Sequence, residues 1–355
     1  MEQTECSCNS HKTMDSHIPC CDQGATTDNR DEILTTTSTL TFVDHLDHLL
    51  ARLGFRRAEH RVRPGLYRLG NPTPESLVFV SANYTLSFDA LRSSLAGFDA
   101  YILVIDTKGI NVWCAAGKGT FGTDEIVARI QSTGLDKVVT HRRIVVPQLG
   151  APGVSAHEVA QKSGFTVLYG PVRAVDLPLY LQNQSATPEM REITFPLKER
   201  IILIPVELTQ ILKYIVVAIL AFGILVSYDL AVRILISALA GTVVFPVLMP
   251  YLPTKDFSTK GFILGWIIFL PLAAGTFMSQ TGGLFIGIGM VLAELLVFPA
   301  IVAYLTLNFT GCTPFASRSG VKREIYRYIR PMAGMFFVGI GLAIVTGIVS
   351  KVGVS

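Results

Sequence analysis

The chain has 355 residues, half of them apolar and 16% charged, with a formal net charge of +3. That length leaves room for about two domains at ~150 residues each, and so apolar a composition excludes a single ordinary soluble enzyme. The small net charge gives no reason to expect nucleic acid as a partner.

Residues 1–40 are polar, rich in Thr, Ser and Asp, and poor in large apolar groups, as in a disordered tail. The six cysteines are Cys6, Cys8, Cys20, Cys21, Cys114 and Cys312, a spacing unlike a secreted disulfide framework. The tail pairs Cys6/Cys8 and Cys20/Cys21 admit two readings. They hold a soft metal ion such as Hg(II) or Zn(II), or the tail is inert. No run of basic, then apolar, then small residues opens the chain, so no signal peptide is expected.

Residues 41–185 alternate between helix-like and strand-like segments. Helices are expected at Phe42–Leu53, Ser87–Leu95, Thr123–Ser132 and Ser155–Ser163, and strands at Leu77–Ala82, Tyr101–Asp106, Lys137–Thr140, Ile144–Val146 and Phe165–Tyr169. Short apolar strands alternating with helices predict an α/β, Rossmann-like domain with a mostly parallel sheet. Such sheets bind ligands at the carboxyl ends of their strands. The loops there are 83–85, 107–122, 147–153 and 170–173.

A linker of mixed charge follows at 186–206, and an all-α transmembrane domain of five helices is expected over 207–355. Its apolar runs lie near 208–226, 232–250, 261–279, 283–307 and 332–350, each close to the ~20 residues needed to cross a bilayer. Placing residues 1–206 in the cytoplasm puts Lys198, Arg200, Lys255, Lys260, Arg318, Lys322, Arg323, Arg327 and Arg330 inside, against Arg233 and Lys351 outside. The positive-inside rule thus predicts a multi-pass protein of the cytoplasmic membrane, with a cytoplasmic soluble domain and the C-terminus outside. Glu294 falls inside the fourth run, either as a functional carboxylate or bonded to a neighbouring helix. Gly283 and Gly287 have the spacing of a close helix contact.

The stretch from Asp106 to Thr123 carries the chemistry. Asn111 suits a helix N-cap, and a short helix over Val112–Lys118 puts Cys114 in its first turn. That end favours thiolate, and Lys118 sits one turn on along the same face. Gly109, Gly117, Gly119 and Gly122 strip side chains from the surroundings, which lets backbone approach a large flat ligand. The bland alternative is a small buried cysteine. The run Gly117-Lys118-Gly119-Thr120 is not a phosphate-binding loop, because Gly119 stands where Ser or Thr must hold magnesium and Val112 where the first Gly belongs.

The eight residues Asn111-Val112-Trp113-Cys114-Ala115-Ala116-Gly117-Lys118 resemble the cap-helix signature of the mercury-methylating corrinoid proteins, the HgcA family. Val146-Pro147-Gln148-Leu149-Gly150-Ala151-Pro152-Gly153 and Tyr169-Gly170-Pro171-Val172-Arg173 resemble the cofactor-side loops of that family. The resemblance covers roughly residues 41–350 and excludes the Cys-rich tail. It implies a corrinoid-binding domain similar to that of the corrinoid iron–sulfur protein of acetyl-CoA synthesis, followed by about five membrane helices. It further implies a cobalt corrinoid held by residues 111–118 with Gly119, Thr120 and Gly122, by Gln148, Gly150 and Gly153, and by Gly170 and Arg173. Cys114 would be the lower axial ligand of cobalt, and Trp113, Ala115 and Ala116 would pack on the corrin face.

The activity so implied is corrinoid-dependent methyl transfer to inorganic Hg(II), giving methylmercury. Hg(II) is a soft electrophile and takes methyl as a carbanion equivalent or a radical. A thiolate opposite the methyl group donates electron density to cobalt and eases carbanion-like departure. Reduction to Co(I) must follow, and the chain has no iron–sulfur ligand run. The resemblance supplies a ferredoxin-like partner with two 4Fe–4S clusters as reductant and a methyl supply from the methyl-tetrahydrofolate pathway. Two other functions stay open in the sequence: a membrane-bound corrinoid methyl carrier for another acceptor, and a transporter with a cytoplasmic regulatory domain.

Overall fold

The computed structural model describes residues 33–56, 59–280, 283–309 and 318–352. The tail cysteines, Cys20 and Cys21 among them, and Cys312 lie outside the described residues. The described chain opens with β1 (Leu34–Thr36), α1 (Phe42–Arg52), β2 (Gly65–Leu69), β3 (Val78–Ala82), α2 (Thr85–Ser94) and β4 (Ala100–Ile105). It continues through α3 (Val112–Lys118), α4 (Thr123–Ser132), α5 (Leu135–Val138), β5 (Arg143–Val146), α6 (Ala156–Ser163), β6 (Thr166–Tyr169), α7 (Leu177–Asn183) and α8 (Pro188–Arg191).

These strands form one sheet in the order β1-β2-β4-β3-β5-β6. The run β4-β3-β5-β6 is parallel, whereas β2 lies antiparallel to β4 and carries β1 parallel to itself. Alternation along β4 supplies both faces. Leu103 and Ile105 enter a core with Phe121, Ile126 and Phe165, while Ile102 and Val104 enter a second core with Phe88, Leu91 and Leu177. A sheet covered on both sides makes its central strands continuous apolar runs, and β3 and β4 are buried throughout.

Three expectations change. Residues 34–36, placed in the disordered tail, form β1, because Leu34 pairs with Tyr67 and packs on the second core. Residues 137–140, expected as a strand, begin in α5 instead. Gly134 takes φ 56, and Leu135, Val138 and Val139 then reach the first core at helical spacing. The segment 186–206 is not a plain linker. Met190 of α8 is buried in the second core, and Val172 N–H donates to its carbonyl at 2.8 Å.

The apolar half comprises α9 (Leu197–Leu225), α10 (Tyr228–Leu239), α11 (Phe245–Leu248), α12 (Phe257–Ser279), α13 (Leu284–Phe309) and α14 (Arg318–Val352). With α10 and α11 continuous through a widened turn at Ala240–Val244, five spans are long and apolar enough to cross a membrane. The structure therefore fits a multi-pass membrane protein joined to an α/β domain. Glycines let these helices close. A Cβ on Gly265 would stand 2.6 Å from Pro299 Cα, and one on Gly289 would stand 2.3 Å from Thr346 Cγ2. Gly287 packs on Phe277, but Gly283 takes φ 90 in the turn before α13 and meets nothing. Arg233, expected among the outside charges, lies within α10 and pairs with Glu294, which also accepts from Thr276 Oγ1 at 2.9 Å.

Helix α1 starts at a reciprocal cap: Thr41 N–H donates to Asp44 Oδ2 at 2.7 Å, and Asp44 N–H to Thr41 Oγ1 at 3.3 Å. His60 lies beneath its C-terminal half, with Nδ1 2.6 Å from Asp47 Oδ1 and Nε2 2.7 Å from the Phe55 carbonyl. Both partners only accept, so the geometry calls for a ring protonated at both nitrogens. Burial pushes His60 down, but the Phe55 carbonyl and the Asp47 carboxylate outweigh it and hold it above the usual histidine range. A raised folded-state pKa contributes stability that is complete below the unfolded value of ~6.5 and is lost as pH rises through the folded value. Thermal unfolding of the full chain should show this decline with rising pH, and His60→Gln should flatten it. Superimposable pH profiles for the two proteins would refute the assignment.

Candidate functional site

The carboxyl ends of β3, β4, β5 and β6 share one edge of the sheet. Their loops enclose a cavity of about 400 Å³ lined mainly by apolar groups, among them Phe79, Leu86, Leu91, Val112, Trp113, Leu149, Val172 and Leu177. This is the edge at which such folds take ligands.

One buried side chain shapes the loop after β4. Asn83 Oδ1 accepts from Thr107 N–H at 3.0 Å, Thr107 Oγ1 at 2.9 Å and Gly109 N–H at 3.0 Å, and its Nδ2 donates to Asp106 Oδ1 at 3.0 Å. Burial pushes Asp106 up, but Lys108, bonded to it through both N–H and Nζ, leaves the carboxyl net below its usual range. Gly109 takes φ 71 beside Arg61, where a Cβ would stand 2.8 Å from Nε. This folded loop delivers Asn111 to the start of α3.

Helix α3 occupies the bounds expected of it. Asn111 Oδ1 accepts from Cys114 N–H at 2.8 Å, and Gly119 closes the far end at φ 83. The faces divide sharply. Ala115 and Ala116 are buried in the first core, so they pack inward on protein rather than outward on an open face. Asn111, Val112 and Trp113 border the cavity. Cys114 is half-buried, and Gly117, Lys118 and Gly119 are exposed on the outer side. Among the described residues, a Cβ on Gly117 or Gly119 would meet nothing within 4 Å.

The remaining site residues separate into two groups. Gly150 and Gly153 serve protein packing: a Cβ on either would run into Phe121, at 2.5 Å from its ring and 2.2 Å from its carbonyl respectively. Gly122 meets the Gly119 carbonyl, Thr120 N–H donates to the Ala115 carbonyl, and Arg173 donates to Glu199 Oε1 of α9 at 2.8 Å. Gly170 lies on the cavity wall. Gln148 Oε1 and Thr85 Oγ1, both near the cavity, are buried without a hydrogen-bond partner. Each follows or precedes a residue that lines the cavity, and an apolar cavity at the strand ends, with Gly170 on its wall, fits part of a large flat ligand such as a corrinoid. Asn83, Thr85 and Thr107 were expected only as members of the strand-end loops 83–85 and 107–122, with no role of their own.

The comparisons agree with this placement. Residues 55–179 match the family model described as CO dehydrogenase/acetyl-CoA synthase delta subunit. Relatives include the acetyl-CoA decarbonylase/synthase complex subunit gamma of Methanopyrus kandleri, 32% identical over 130 residues, which are 36% of this chain and 28% of the relative. The subunit gamma of Archaeoglobus fulgidus is 31% identical over 118 residues, 33% of this chain and 25% of the relative. Subunit gamma 2 of Methanosarcina mazei is 31% identical over 122 residues, 33% and 26%. The chain thus spans under a third of the length of these relatives. Residues 55–179 are thus similar to part of these acetyl-CoA decarbonylase/synthase subunits, and in this chain five membrane-length helices follow them.

Two substitutions separate scaffold from surface. Asn83→Ala strands the loop amides it satisfies and should cost about 3 kcal/mol, read as a lower denaturation midpoint. Gly117→Ala places a methyl in open space on a helix and should stabilise the protein by about 0.5–1 kcal/mol. A destabilised Gly117→Ala would mean that the outer face of α3 is already covered by protein.

Proposed function

We propose that this chain is a membrane-anchored corrinoid protein that transfers a methyl group to inorganic Hg(II), with Cys114 as the lower axial ligand of cobalt. The observation that carries the reading is α3 itself. A capped helix holds one half-buried cysteine at the ligand edge of the sheet, beside an outer face with no side chains at Gly117 and Gly119. The similarity of residues 55–179 to acetyl-CoA decarbonylase/synthase subunits supports the one-carbon side of it.

When bound, the corrinoid supplies the cobalt centre at which methyl is carried. The chain's own residues do the rest. Asn111 fixes the first turn, so the backbone and Cβ of Cys114 are held in one place. The positive end of that helix and the Lys118 ammonium four residues on would favour the thiolate form. Gln148 and Thr85 offer unused hydrogen-bonding capacity to the ligand's edge. The cavity takes part of so large a molecule and keeps water from it. A ferredoxin-like partner with two 4Fe–4S clusters would return electrons, and the methyl-tetrahydrofolate pathway would provide methyl.

The names of the relatives favour a second reading, a corrinoid methyl carrier serving a different acceptor. One set of experiments separates the two. The purified full chain should show a corrinoid absorption spectrum with a sulfur–cobalt band in its Co(III) form. Cys114→Ala should retain corrinoid, lose that band and lose methylmercury formation by at least about tenfold, or ~1.4 kcal/mol of barrier. Gly117→Ala should weaken corrinoid binding despite its greater stability. Full methylmercury formation by Cys114→Ala would refute the thiolate role. A corrinoid-loaded wild type that never methylates Hg(II) would leave the carrier reading.

A further inference from the structure

Helix α1 is amphipathic in the reverse of the usual sense. Its polar face points into the protein: Asp44 pairs with Arg92 at 2.9 Å, His48 with Asp89 at 2.7 Å and Asp47 with His60 at 2.6 Å. Its apolar face points away. Phe42 is 80% exposed, Val43 71%, Leu46 44% and Leu49 52%, and Phe55 continues the patch just beyond the helix. A soluble surface rarely leaves so many large apolar groups together. Ion pairs fix the helix in this orientation, so the exposure is built in rather than incidental.

The position of α1 identifies what covers the patch. Its C-terminal end packs on α9, where a Cβ on Gly54 would lie 3.9 Å from Thr209 Oγ1. Thr209 stands at the start of the apolar run of α9. One turn on, Lys213 Nζ lies 4.8 Å from the Tyr214 ring centroid. A lysine beside a tyrosine is the side-chain chemistry of a membrane–water boundary. The outward residues of α9 beyond it, Val216, Val217 and Leu220, continue the apolar surface. Arg52 places positive charge at this end of α1, and so does the exposed Arg56, which Glu59 partly offsets at 3.4 Å.

We propose that α1 lies in the membrane plane, with Phe42, Leu46 and Leu49 sunk into the headgroup and upper acyl region of the leaflet that bears the α/β domain. Its ligand is an anionic phospholipid surface, which the adjacent arginines favour. The inference rests on the reading of the five long helices as membrane spans and is independent of the corrinoid reading. Its consequence is a fixed attitude of the α/β domain on the bilayer, held at α1 as well as at α9.

The test adds single tryptophans to the full chain reconstituted in bilayers of phosphatidylcholine and phosphatidylglycerol, read against the background of Trp113 and Trp266. Leu46→Trp and Phe42→Trp are measured with acyl-brominated phospholipid and with aqueous acrylamide as quenchers. Val217→Trp on α9 is the lipid reference, and Lys137→Trp on the exposed side of α5 is the water reference. The expected result is quenching of both α1 variants by brominated lipid to an extent near that of Val217→Trp, with little quenching by acrylamide. Quenching by acrylamide like that of Lys137→Trp would overturn the proposal. So would protection from both quenchers, which would assign the face to a protein partner or a second copy. If Val217→Trp itself escaped brominated lipid, the spanning reading would fail, and this proposal with it.

Discussion

Parallel strands that end at one edge leave a row of backbone groups with no partner in the sheet, and each must find one or face water. At the end of β4 Glu125 takes the Asp106 N–H at 2.9 Å, and the rest of that demand falls on one buried amide. Asn83 accepts three hydrogen bonds from residues 107 and 109 and donates one to Asp106, which fixes the loop in one shape. The far side of α3 is fixed by a different constraint. Gly150 and Gly153 leave no room for even a methyl against Phe121, so the turn, the phenyl ring and the inner face of α3 lock by contact. Between an amide hub and a steric lock, the helix has little freedom. The backbone that carries Cys114 is therefore preorganised, which spares any ligand taken there the cost of ordering it.

The same strand-end loops reach the membrane half. Val172 lines the cavity, and the next residue, Arg173, pairs with Glu199 on α9. Both side chains of that pair are partly exposed, so its contribution to stability is at most about 1 kcal/mol. Arg200, one residue on, is buried and donates to the carbonyls of Pro246 and Val247 at 2.7 Å each. Those carbonyls lie beyond the widened turn, where Pro250 has no N–H to return to the Pro246 carbonyl and the helix ends in a tighter turn at Met249–Tyr251. A charged donor satisfies them at a point where water is scarce. The wall of the cavity and the irregular part of the second span thus hang from adjacent residues of one helix.

The elements legible in the sequence were those with two independent signals. Helix α3 was bounded by a cap residue and a terminal glycine, and β3 and β4 by unbroken apolar runs between turn residues. Residues 137–140 carried one weak signal, since four residues cannot distinguish period 2 from period 3.6. Strand β2, Gly-Leu-Tyr-Arg-Leu, was missed because its pairing with β4 is antiparallel and long-range, which no local pattern encodes. In the site, Cys114 stood out through its flanks, but the roles of its neighbours did not. Ala115 and Ala116 suit a core and a ligand face equally well by size, and only burial decides between them. Asn83 looked like any turn asparagine, because its four partners lie more than 20 residues away.

The polar groups within the apolar half bear on what that half does. A carboxylate among spanning helices is costly unless paired. Glu294 of α13 has Arg233 of α10 and Thr276 of α12, and Arg233 also reaches Asp229 at 2.6 Å. Near the opposite end, Glu324 of α14 accepts from both N–H and Oγ of Ser258 in the first turn of α12, at 2.6 and 2.8 Å. Each cluster joins different helices, and in each the buried acid, Glu294 or Glu324, has donors from another helix. A transport site needs polar groups that exchange partners as cargo passes, whereas these clusters spend their hydrogen bonds on one another. Together with the glycine-mediated contacts of α12, α13 and α14, they support a rigid membrane half. Rigidity is what a platform requires if it is to hold the edge of a sheet, and the sulfur on it, at a constant height above the lipid.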